Sequence, residues 1–200
     1  DSGIEWIGEI PEHWEVSKLK YYSDVIMGQS PNSEDYNLDR SGYPFLQGNA
    51  DFSDKFPIER VFTLNANKFS IKDDVLFSVR APVGAKNISD KSYAIGRGLC
   101  AIRPTSIDKD YLWWLIDLIK VEFSYYSRGS TFDSVTIDNV RNALITTPPI
   151  NEQKNIAECL FVKCKEIDSL LTQKEQLISY LEVYKKSLIY ECVTGKREVV

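Results

Sequence analysis

From Asn151 to about Val193 the chain contains neither glycine nor proline, and its apolar residues recur at alternating steps of four and three. Leu160, Cys164, Ile167, Leu171, Lys174, Ile178, Leu181, Lys185, Leu188 and Cys192 keep a 3.5-residue period, and eight of these ten positions are apolar. A repeat sustained this long predicts the seam of a coiled coil, narrower than the stripe of an ordinary surface helix. At ~1.5 Å per residue the helix would run about 65 Å, more than a domain of this size needs internally. Gly195 supplies its stop. The alternative, two shorter helices folded back on a domain, needs a break that the sequence does not show. Lys174 and Lys185 either snorkel to the edge of the seam or fix register and partner orientation there. The pattern alone leaves both readings open.

The preceding residues carry shorter signals. Ile4 to Trp14 alternates Trp, Ile, Pro and Glu without a helical period and reads as an extended arm. Trp14–Leu19 and Tyr22–Met27 read as strands, and Gly28-Gln29-Ser30-Pro31-Asn32-Ser33 as a turn. A loop-rich stretch is expected from there to Asn67. Val75-Leu76-Phe77-Ser78-Val79 is a short apolar run of the kind that forms a buried strand, emptying into a loop at Arg80–Gly84. Ser92–Arg103 reads as strand interrupted by Gly96-Arg97-Gly98. Asp108 is placed to cap a helix from Tyr111 to Phe123 that stops near Ser127-Arg128-Gly129. A short piece at Ile137–Asn142 and a strand at Leu144–Thr146 lead to Pro148-Pro149, the predicted boundary. The expected class is α+β: a mixed, β-rich domain over 1–149, the long helix over 150–193, and a tail over 194–200.

Composition narrows the chemistry. Hydrophobic residues at 43% and aromatics at 12% exclude a disordered chain. The apolar runs are far short of the ~18–20 residues that would cross a bilayer, and Asp1-Ser2-Gly3-Ile4-Glu5 opens no apolar leader. The expectation is a cytoplasmic chain without a membrane partner. Cys100, Cys159, Cys164 and Cys192 form no C-x-x-C pair and read as small hydrophobes, three of them on the apolar side of the terminal helix. Net charge is −5. Residues 151–200 hold eight of the 24 basic and eight of the 29 acidic residues, so residues 1–150 hold 16 basic against 21 acidic and carry the whole deficit. Charge alone argues against a nucleic-acid partner, because phosphate contact rewards positive surface.

Catalysis finds little support. His13 is the single histidine, which leaves a Ser-His-Asp triad or a multi-histidine metal site without parts. A packing or capping role within Pro11-Glu12-His13-Trp14 suits it better. The one Pro-Pro pair, in Thr146-Thr147-Pro148-Pro149-Ile150, has no acid or amide before it and no aromatic after it, as an adenine methyltransferase would need. Gly96-Arg97-Gly98 lacks the third glycine and following helix of a dinucleotide fingerprint, and no phosphate-binding G-x-x-x-x-G-K-[ST] loop is present. Asp73-Asp74 and Asp51 with Asp54 could hold a nuclease metal but read more simply as turn and strand-start residues. No catalytic set, no metal site and no cofactor is expected.

The assembled motifs resemble the specificity subunits of type I restriction–modification enzymes over nearly the whole chain. Gly3-Ile4-Glu5-Trp6-Ile7-Gly8-Glu9-Ile10-Pro11-Glu12-His13-Trp14-Glu15-Val16 is similar to the opening segment of that family. Gly28-Gln29-Ser30-Pro31 is similar to its early loop, and Asp74–Arg80 with Gly84 to its central strand. Pro148-Pro149-Ile150-Asn151-Glu152-Gln153-Lys154-Asn155-Ile156-Ala157 resembles the motif that launches its long helix. The resemblance implies a target recognition domain followed by one helix of an antiparallel two-helix spacer. It further implies double-stranded DNA, methyltransferase (M) subunits and motor-nuclease restriction (R) subunits as partners. A full subunit has two such domains and two helices, so this half-length chain is expected to be a half-sized subunit pairing with itself or a fragment of a full one. A homodimer would restore the twofold arrangement.

Given that resemblance, side chains suited to base edges and phosphates become candidates. They are Gln29, Ser30 and Asn32 in one turn, Gln47 and Asn49 around Gly48, Arg80 at a strand end, Lys86, and Arg97 between glycines. Ser127, Arg128, Ser130 and Thr131 form a further polar loop. The other reading of these positions is structural: Gln29–Asn32 satisfy their own turn, and Gly48 and Gly96 serve backbone geometry alone. An acidic domain is expected to bind DNA weakly by itself and with a steep salt dependence. The competing expectations are an assembly or decoy protein that only sequesters M subunits, and a cryptic nuclease.

Overall fold

Strands Val75–Ser78 and Leu99–Pro104 are apolar on both faces, and their alternation decides the architecture. Val75, Phe77, Cys100 and Ile102 point into one core and Leu76, Leu99 and Ala101 into another, as the two-residue period of a strand requires. The computed structural model describes residues 2–5, 7–126 and 135–198. In chain order the elements are β1 (Glu15–Lys18), β2 (Ser23–Met27), β3 (Tyr36–Asn37), β4 (Tyr43–Leu46), β5 (Val61–Thr63), β6 (Phe69–Ser70), β7 (Val75–Ser78), β8 (Lys86–Ile88), β9 (Tyr93–Ile95), β10 (Leu99–Pro104), α1 (Lys109–Tyr126), α2 (Ile137–Asn142), β11 (Leu144–Thr147) and α3 (Ile150–Val193).

The strands form a sheet of order β2-β10-β7-β8, a second of order β3-β5-β4-β9-β6, and the pair β1-β11. Helix α1 packs Leu112, Leu115, Ile116, Ile119 and Phe123 on the first face of β7 and β10. The second face meets Leu46, Tyr93 and Ile95 of the five-stranded sheet. Asp108 starts α1 as expected: its Oδ1 accepts from the Asp110 and Tyr111 backbone N–H groups at 3.0 Å each. The predicted stop of that helix, at Ser127-Arg128-Gly129, lies outside the described residues. Arg103 donates twice to the buried carboxylate of Asp74, at 3.0 and 2.9 Å, so this acid of the Asp73-Asp74 pair is committed to the fold.

Two expectations need correction. Ile4–Trp14 is not an extended arm: the Ile7 and Gly8 N–H groups both donate to Ile4 O, and Trp14 N–H donates to Pro11 O. Gly8 takes φ +75° in the first of these turns, a conformation open to it because it lacks a Cβ. The stretch up to Asn67 is not loop alone, since it contributes β3, β4 and β5. These strands are two to four residues long, too short to display a period, and their partners are remote in sequence, β4 pairing in parallel with β9.

The chain divides into two compact units, Asp1–Ala157 and Glu158–Val200. The first turns of α3 belong to the first unit because Gln153 and Ala157 are buried in it. Gln153 accepts from the Asp108 N–H at 2.8 Å and donates to Pro148 O at 2.8 Å. Glu152 receives the His13 ring at 2.8 Å and the Trp14 indole N–H at 2.9 Å, and these bonds, that from Trp14 foremost, hold its carboxyl below the usual range. His13, expected to pack or cap within its own segment, instead bonds a residue 139 positions away. Helix α3 is continuous for 44 residues. It ends in a Schellman arrangement: Lys196 N–H bonds Glu191 O at 2.8 Å, Gly195 N–H bonds Cys192 O at 3.3 Å, and Gly195 has φ +70°.

Candidate nucleic-acid interface

Three loops far apart in sequence, at Gly28, Leu46 and Gly96, are knitted to one another and to the residue that follows β7, Val79, at one end of the two central strands. Gly28 N–H donates to Leu99 O and Gln29 N–H to Ile95 O, at 2.9 Å each. Gly96 N–H donates to Leu46 O at 2.8 Å, and Val79 N–H to Gly98 O at 3.0 Å. Glycine is required where these backbones cross. A Cβ on Gly28 would lie 2.1 Å from Gly96 O, and one on Gly98 would lie 2.8 Å from Gln47 O. The glycines flanking Arg97 therefore let its loop lie against the chain at Leu46–Gln47 and at Gly28.

Above this crossing opens a cleft of about 580 Å³, lined by Ser30, Pro31, Asn32, Ser33, Tyr36, Gln47, Arg80, Arg97 and Gly98. Ser30 Oγ accepts the Arg97 N–H at 3.2 Å, tying the first loop to the third. Tyr36 donates to Pro31 O at 3.2 Å and packs its ring 5.0 Å from that of Phe45. The Gln47 N–H is held by Asp51 at 2.8 Å, leaving its amide side chain exposed. Arg80 and Arg97 are exposed, and among the described residues neither guanidinium has a bonding partner. Among the described residues no carboxylate lines the cleft. The nearby acids Asp35 and Asp51 are engaged by Asn65 and by the Gln47 backbone.

Five sequence candidates, Ser30, Asn32, Gln47, Arg80 and Arg97, thus share one cleft. Gln29 and Asn49 sit one and two residues from lining positions without lining it themselves. Lys86 is placed elsewhere. It donates to Trp113 O at 2.7 Å and to Asp117 at 2.6 Å, with its ammonium 4.1 Å from the Trp113 ring centre. That binds β8 to α1. Ser127, Arg128, Ser130 and Thr131 lie outside the described residues. Tyr36 and Ser33 line the cleft although sequence reasoning did not single them out; Tyr36 belongs to a two-residue strand whose only sequence signal is an aromatic five residues beyond a proline.

In the second unit, seam residues Ile167, Leu171, Ile178 and Leu181 are 54–57% exposed. Leu170, Leu177 and Tyr184 are similarly exposed one position earlier in each turn, so the apolar band is wider than the ten-residue seam. Cys159 is exposed, and Cys164 and Cys192 are half-buried free thiols. Among the described residues no helix is long and apolar enough to cross a membrane, and no group of acids, histidines and cysteines is placed to hold a metal ion.

A mixed-sheet domain that launches a long helix matches the architecture of solved type I specificity subunits. The chain belongs to the family of type I restriction modification DNA specificity domains, whose model matches residues 11–180. A protein of Methanocaldococcus jannaschii, ascribed to type I restriction enzyme MjaX as its specificity subunit, is 39% identical over 96% of this chain and 45% of its own length. The crystal structure of the HsdS subunit from Thermoanaerobacter tengcongensis is 35% identical, with a TM-score of 0.73 over 82% of this chain and 40% of that one. A chain from a structure addressing complex assembly and conformational transition of the type I R-M system reaches a TM-score of 0.84 at 33% identity, over 92% of this chain and 46% of that one. The chain spans about half the length of the relatives it matches.

Proposed function

We propose that this chain is a non-catalytic DNA-reading module that recognises one half of a bipartite site through the loops around the Arg80–Arg97 cleft. The observation that supports this is the convergence, in an acidic domain, of five polar or basic candidates on one cleft that no carboxylate lines among the described residues. The spacer is α3. Its exposed apolar band would pair antiparallel with the same helix of a second copy, or of a second half-subunit, giving two recognition domains related by a twofold axis. M subunits would dock on this scaffold and modify adenine, and R subunits would join them, all acting on cytoplasmic DNA.

The geometry divides the labour. The glycine crossing fixes loop backbones so that side chains above it meet DNA without first being ordered, which lowers the entropic cost of binding. The joint of His13 and Trp14 with Glu152, and of Gln153 with Asp108, fixes the first turn of α3 against the recognition domain. The test is methylome sequencing of cells expressing the cognate M subunit with and without this chain. The expected result is an adenine-modified bipartite motif that appears only with the chain. A protein that merely pairs and sequesters M subunits would create no motif, and a nuclease would cleave DNA alone in the presence of a metal.

A further inference from the structure

The cleft is concave, and that bears on which part of a duplex it can meet. In the grooves of B-DNA base edges lie at the floor, about 8.5 Å deep on the major-groove side, and are reached by elements that protrude. A cleft receives what protrudes from the DNA instead, the sugar–phosphate ridge. Its lining agrees in chemistry. Arg80 and Arg97 bring guanidinium donors, and Asn32, Ser33 and Gln47 bring amide or hydroxyl donors. Ser30 uses an oxygen lone pair for the Arg97 N–H and keeps its own hydrogen to donate. Among the described residues no carboxylate competes. Four other cations of the domain are committed to acids: Arg103 to Asp74, Lys86 to Asp117, Lys91 to Glu59 and Lys109 to Asp73.

We propose that the Arg80–Arg97 cleft clamps a backbone phosphate of the duplex and sets the register of the domain on DNA, rather than reading a base. The ligand is a DNA phosphodiester. The proposal rests on the DNA-reading function above and assigns base readout to side chains outside the cleft lining, Gln29 and Asn49 among them. It also suggests how an acidic domain holds a polyanion, through two guanidinium groups placed in one cleft. Ser30 is then a positioning residue for the Arg97 backbone.

The experiment is an anisotropy titration of a mixed-sequence DNA duplex with the whole chain across a salt series, for wild type, Arg80→Gln, Arg97→Gln and Arg97→Lys. Each glutamine variant should weaken binding about tenfold at low salt and flatten the slope of log K against log salt by about 0.9, the value for one phosphate contact. Arg97→Lys should keep the slope, because a phosphate accepts a point charge where a guanine edge needs the planar fork. Melting temperatures should stay at the wild-type value, since neither guanidinium is bonded within the described fold. An unchanged slope, or a wild-type chain that ignores mixed-sequence DNA at low salt, overturns the clamp. So does a methylome in which Arg80→Gln or Arg97→Gln relaxes a single base of the motif. Dependence of the motif on the chain is measured separately and can survive any of these results.

Discussion

Replacing Gly28 by alanine would set a methyl carbon 2.1 Å from Gly96 O and 2.8 Å from Ile95 O, and both obstacles are backbone. Neither can rotate away, so the early loop must lift off the Gly96 turn. The expected cost is about 2–3 kcal/mol in urea denaturation, together with weaker DNA binding, because Ser30 loses its hold on Arg97. A second residue, Glu152, makes folding depend on acid. Its folded carboxyl lies below the ordinary value, so its contribution is complete above the unfolded pKa and is lost as pH falls through the folded one. The melting-temperature advantage of wild type over Glu152→Gln should therefore be full at neutral pH and shrink once pH drops below about 4. A difference that stays constant into that range would show that the bonds from Trp14 and His13 do not depend on the charge.

At the scale of elements, α3 was fully legible because 44 residues give a period room to repeat, and β7 because four consecutive buried residues need no period at all. Strands β3 and β6, two residues each, exist only through partners in other parts of the chain, Phe62–Thr63 and Tyr93–Ala94, and nothing local marks them. Lys86 has the same lesson in reverse. Its charge suggested a ligand, but α1, 27 residues further on, presents Trp113 and Asp117 to it. The heptad itself makes a prediction. Ile178→Asp puts a charge in the middle of the apolar band, which should cost about 3 kcal/mol of pairing, roughly a hundredfold in dissociation constant. Wild type is expected to scatter as a dimer and the variant as a monomer at the same concentration, while melting of the sheet domain is unchanged. A variant that keeps the wild-type mass would place the pairing surface elsewhere.

For the whole molecule, residue chemistry nominated kinds of side chain, and the fold decided which of them meet. Ser30 and Arg97 are 67 positions apart and bonded to each other; no spacing rule connects them. The opening segment and the Pro148–Ala157 motif, which carry the resemblance to specificity subunits, meet in one joint in which His13, Trp14, Glu152 and Gln153 hold the start of α3. The central claim is that this helix sets the distance between two reading domains. Inserting one heptad into the middle of α3 lengthens it by about 10 Å, roughly three base pairs of duplex, and nearly preserves the facing of its seam. Methylome sequencing of cells carrying that variant with the cognate M subunit tests the claim most directly. The account predicts a motif with both half-sequences unchanged and a gap wider by about three base pairs; an unchanged gap, or altered half-sequences, would contradict it.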